Sequence, residues 1–156
     1  MTSTFKSRAV QSLVDLHERE LRAFLETWKR FAAAGLPMPE AYGDDDYEDR
    51  ERLAGHVFMA ARGYLTRIGE WVGRPVEDVD ASTDKREIMT RAGEFSEGVL
   101  AAWRRHLPAI TPEELEPDHK TRWGATMSVE TLLEHAVVHP MRHRIQLERI
   151  LEGNPR

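Results

Sequence analysis

A chain of 156 residues has room for a real hydrophobic core, and residues 1–156 are expected to form a single domain. With 40% hydrophobic residues, 31% charged residues, a net charge of −5 and no basic block, the composition fits a helix-rich soluble protein and disfavours nucleic-acid binding, which needs clustered Lys and Arg. The absence of cysteine excludes disulfides, a thiolate zinc site and an internal thiol nucleophile, so any metal here must be held by nitrogen and oxygen.

The first periodic segment runs from about Lys6 to Ala34. Val10, Leu13, Val14, Leu21, Phe24, Leu25, Trp28 and Phe31 recur at helical spacing, and Gly35, Pro37 and Pro39 end it. After a polar loop around Tyr42 and Gly43, the acidic run Asp44–Asp46 marks the N-terminus of a second helix, expected from about Asp46 to Val72. Its stripe is Leu53, Val57, Ala60, Tyr64, Ile68 and Trp71, with His56 directly against it. Gly55, Gly63 and Gly69 weaken this helix, and small residues at such places often let a neighbouring element approach closely.

A third helix is expected from Thr83 or Asp84 to just before Pro108, with Ile88, Ala92, Phe95, Val99, Ala102 and Trp103 on its apolar face. Residues 109–127 read as a long loop with one short turn at Thr111–Leu115, started by Pro112. Ser128 caps the last helix, which Gly153, Asn154 and Pro155 stop. No segment of any length has strand period, so four long amphipathic helices predict an all-α four-helix bundle. No apolar run reaches transmembrane length and no signal-peptide core is present, so no membrane association and a cytoplasmic location are expected.

The chemistry concentrates in the last helix. His135, His139 and His143 follow one another at steps of four, and each step advances only about 40° around the axis. His139 and His143 fall on or beside the buried stripe of Leu132, Ala136, Leu147 and Ile150, with Cβ atoms expected roughly 6 Å apart, close enough to share one ion. His56 on the second helix supplies a third imidazole. Three protein ligands leave a position open for water or substrate, as in a catalytic metal centre. His135 stands about 80° from His143 and is expected to pack or to support the ligands rather than bind.

The remaining residues carry weaker expectations. Pro140 should kink the helix between the clip histidines, since it removes a backbone donor and crowds the carbonyl of Ala136. The run His139–His143 has the spacing of H-E-x-x-H without its glutamate, which argues against a peptidase. His17 is a candidate to line the pocket but is expected in the core, Glu20 and Asp15 are candidate pocket carboxylates but are expected at the surface, and Trp28, Trp71 and Trp103 are expected in packing roles. Nothing in the sequence gives His106 or His119 a role.

The run H-A-V-V-H-P-M-R-H-R-I-Q, His135 to Gln146, resembles the C-terminal signature of the DinB-like (YfiT-like) superfamily, H-x-x-x-H-R-x-Q. L-A-G-H-V, Leu53 to Val57, is similar to that family's early histidine segment, and Trp123-Gly124 before the last helix also fits. Pro140 is a departure from many relatives. The resemblance implies a four-helix bundle with non-sequential helix order and a divalent metal, zinc or nickel, on His56, His139 and His143. It also implies a small-molecule thiol as co-substrate, such as mycothiol or bacillithiol, and a homodimer.

The resulting expectation is a metal-dependent thiol S-transferase in which the ion favours the thiolate of an external thiol and presents it to an electrophilic substrate. The alternative is a non-catalytic, metal-stabilised bundle serving stress response or partner binding. A metal-dependent hydrolase ranks third, because no general-base carboxylate is evident in the sequence.

Overall fold

The computed structural model describes residues 4–38 and 43–153. The described residues are mostly helical, as expected. Helix α1 spans Arg8–Ala34; Ser7 caps it by accepting from the Val10 amide, and Gly35 ends it in the left-handed region at φ 64°. Pro39, Tyr42, Asn154 and Pro155, expected in loops or stops, lie outside the described residues.

The acidic run does not open the second helix. Asp45–Tyr47 forms a separate 3-10 turn capped by Asp44, and α2 covers Arg50–Trp71 with Asp49 accepting from the Arg52 amide at 2.7 Å. The helix thus starts four residues later than expected, capped by Asp49, which leaves Asp46 and Tyr47 free to turn toward the bundle.

The expected third helix is two. α3 covers Lys85–Thr90, starting near where expected and capped by Asp84, and α4 covers Ala92–His106, with Arg91 between them at φ −137°, ψ 38°. No Gly or Pro marks this break. The Arg91 guanidinium instead reaches back to Asp80, Ser82 and Glu87, tying the preceding connection to the junction.

Gly55 explains where α3 rests. A β-carbon at that position would lie 2.4 Å from the Lys85 carbonyl oxygen, so only glycine admits the start of α3 against α2. Gly69 does the same for the Arg74 backbone, at 2.7 Å. Gly63 has open space around it and serves no close approach.

The loop after α4 carries the expected turn at Pro112–Glu114, capped by Thr111. It also holds strands that periodicity did not suggest: β1 (Asp118–Lys120) and β2 (Thr126–Ser128) pair antiparallel, Asp118 opposite Ser128, around a tip with Gly124 at φ 88°. Three-residue strands are too short to display a period. His119 stacks on Trp71 at 4.6 Å and pins this hairpin to α2. Helix α5, Val129–Leu151, starts at Ser128, which accepts from the Thr131 amide at 3.1 Å, and runs unbroken through a buried Pro140.

α1 packs most extensively on α5, and α2 lies against α3, α5 and α4. Phe24, Phe31, Phe58, Leu132 and Trp103 fill the interior, each no more than 1% exposed, with the Trp103 indole donating to the Ala61 carbonyl at 3.0 Å. Burial of such side chains contributes roughly 2–3 kcal/mol each, enough to hold polar groups that the α2–α5 seam encloses. No described helix is long and apolar enough to cross a membrane.

Candidate metal centre

His56 from α2 and His139 and His143 from α5 meet across the seam between those helices. One ring nitrogen from each lies within 4.8 Å of the others, and the Nε2 atoms of His56 and His139 are 3.0 Å apart. Ligand nitrogens about 2.0–2.1 Å from a tetrahedral ion stand roughly 3.3 Å from one another. The first pair is already near that spacing, and the His143 nitrogen lies within 4.8 Å of both.

The outer nitrogens show how these rings are held. His56 Nδ1 lies 3.0 Å from Asp46 Oδ2, and Lys85 of α3 pairs with the other oxygen of the same carboxylate. The carboxylate makes Nδ1 the protonated nitrogen, so Nε2 keeps its lone pair turned toward His139. The Tyr47 hydroxyl donates to Gln146 Oε1 at 3.2 Å and lies 3.5 Å from His143 Nδ1. One 3-10 turn therefore supplies the partners of two candidate ligands. His139 Nδ1 is buried with no hydrogen-bond partner.

Burial keeps the cluster neutral. Desolvation lowers His139 to about 2, helped by the neighbouring His56 and His143, and lowers His143 to about 4. His56 is lowered by the same cause, with Asp46 opposing. Neutral imidazoles with converging lone pairs are the form that ligates a cation, so the three residues present could hold a divalent ion.

A cavity of about 590 Å³ opens beside His56 and His139 and is walled by Tyr64, His135, Leu132 and Trp123. His135 does not join the three-histidine group, in line with its angular offset; it packs edge-on to Tyr64 at 5.5 Å and toward Trp123 at 6.4 Å. Trp123, on the hairpin tip, is 60% exposed at this opening. Tyr64 is pushed up to about 12 by burial and so stays a neutral hydroxyl.

Other sequence expectations fall elsewhere. His17 is in the core as expected, stacked on Trp103 at 3.8 Å. Glu20 is a correction: it is buried rather than exposed, because Arg144 reaches it at 2.9 Å from α5 while also binding Glu148. Asp15 is exposed and pairs with Arg104. His106 meets Asp78 at 2.6 Å. The residues that sequence reasoning missed are Asp46, Tyr47 and the cavity wall formed by the hairpin.

The model of the DinB family matches residues 44–152, about 70% of the chain, a span that runs from the turn holding Asp46 to the end of α5. No curated protein and no solved structure matches the chain.

Proposed function

The chain belongs to the DinB family, and from that membership and the converging imidazoles we propose that it is a divalent-metal-dependent enzyme, a thiol S-transferase using an external low-molecular-weight thiol. The observation that carries the reading is the meeting of His56, His139 and His143 at the side of an open cavity. Bound there, a zinc or nickel ion would supply Lewis acidity that favours a thiolate over a thiol.

The chain's own residues do the rest. Asp46 fixes the tautomer and angle of His56, Tyr47 and Gln146 steady His143, and Leu132 and Met59 exclude water from one side of the cavity. The thiol loses its proton to solvent, its sulfur forms a bond to the electrophilic carbon, and the leaving group departs with the bonding pair. With no cysteine in the chain, the nucleophile arrives from outside.

The cavity also bears on the alternatives. A non-catalytic bundle needs no such opening. A hydrolase would need a carboxylate to activate water, and among the described residues no Asp or Glu lines this cavity. A cytoplasmic location and a homodimer complete the proposal; the dimer is read by sedimentation equilibrium.

The test incubates metal-loaded protein with bacillithiol, mycothiol or glutathione and a model electrophile. Turnover should appear with at least one thiol and fall to background in His143→Ala. Equal rates in the two proteins would end the enzymatic reading. Metal in wild type, a large drop in melting temperature with chelator and no thiol turnover would select the non-catalytic bundle.

A further inference from the structure

In a chain of net charge −5, the described residues lining the cavity include four cations, Arg67, Lys85, Arg122 and Arg142, and no carboxylate. Two of these cations are already engaged: Arg67 binds Glu70 at 2.6 Å, and Lys85 binds Asp46. Arg122 and Arg142 are exposed and have no ion-pair partner among the described residues. They come from different elements, Arg122 from the hairpin tip and Arg142 from α5 between the two clip histidines.

Arg142 lines the same cavity as His56, Tyr64, His135 and His139. Between the two arginines the wall is apolar and aromatic, with Met59, Ala60, Leu132 and Trp123. A cavity of about 590 Å³ falls within the ordinary range for small-molecule sites, which bury an apolar body and orient it with a few polar groups.

We propose that this cavity takes a small organic acid, its carboxylate held by Arg122 and Arg142 and its apolar body laid against Leu132 and Trp123 beside the histidines. Guanidinium groups favour carboxylates because their paired N–H donors match the two oxygens. Lys85 and Arg67 add to the positive field without being free to pair. That the acid is a substrate rests on the enzymatic reading above; that it binds does not.

The experiment uses the full chain as purified and two probes of matched shape, 4-phenylbutyrate and 4-phenylbutan-1-ol, followed by isothermal titration calorimetry. The acid should bind about tenfold tighter than the alcohol or better, and the preference should shrink as salt is raised. In the doubly substituted Arg122→Gln, Arg142→Gln protein the preference should fall to within about twofold, while metal content and melting temperature stay at wild-type values. Both substitutions are at exposed positions, so the fold persists for the comparison.

Equal affinity for acid and alcohol in wild type would overturn the proposal, as would a preference that survives the double substitution. A preference abolished by His143→Ala with both arginines intact would also overturn it, by assigning the carboxylate to the ion. Failure of the S-transferase reading looks different: no thiol turnover, with acid preference unchanged.

Discussion

His17 and His139 are both buried imidazoles, lowered by desolvation to about 3 and about 2, yet their surroundings diverge. His17 sits between α1 and α4, stacked on Trp103, and neither ring nitrogen has a partner. His139 has one orphan nitrogen and presents the other to His56 at 3.0 Å, beside a cavity. A low pKa is therefore no mark of a site, because burial alone produces it. What separates the two regions is convergence of lone pairs, partners on the outer nitrogens and an opening to solvent.

The contrast is broken most directly by exchanging its members. His139→Ala should reduce bound metal from about one equivalent to background, measured by elemental analysis of untagged protein, whereas His17→Leu should keep it. If His17→Leu loses the metal as completely as His139→Ala, the distinction drawn here is wrong.

Acid should expose the cost of burying His17 neutral. Its folded pKa lies below the unfolded value of 6.5, so the unfolded chain binds a proton that the fold does not. Stability from this residue is fully present above pH 6.5 and is lost as pH falls toward 3, by up to about 1.4 kcal/mol per unit. Urea unfolding between pH 7 and pH 5 should show a steeper loss for wild type than for His17→Leu. The leucine itself should be near neutral at pH 7, since it removes two unpaired polar atoms along with the stacking.

Smaller effects sharpen the other region. Asp46→Asn keeps the shape beside His56 but weakens control of its tautomer, and metal affinity should fall about 10–100-fold in a chelator competition. Tyr47→Phe removes a hydroxyl 3.5 Å from His143, a long contact, and should cost no more than about threefold in the same assay. An inverted order, with Tyr47 mattering more than Asp46, would mean that His143 rather than His56 governs the geometry.

The long helices, the cap at Ser128 and the three histidines were legible because each follows a local rule: a 3.6-residue period, a short side chain before a helix, a spacing of four. Asp46 was hidden. It stands ten residues before His56 with a separate turn between, and an aspartate near a helix start looks like a cap whether or not it reaches a histidine. The break at Arg91 was equally invisible, because it depends on contacts to Asp80 and Ser82 rather than on the residue itself. Glu20 was misplaced because its partner Arg144 lies 124 positions away.

That His56 precedes His139 by 83 residues has a bearing on how the protein matures. At translation rates of about 5–20 residues per second, His56 is synthesised roughly 4–17 seconds before His139 exists. No stretch shorter than the 88 residues from His56 to His143 contains the complete trio. A cation destined for it must accordingly arrive after α5 has been made, and the cavity that Trp123 and Arg122 line opens beside its site.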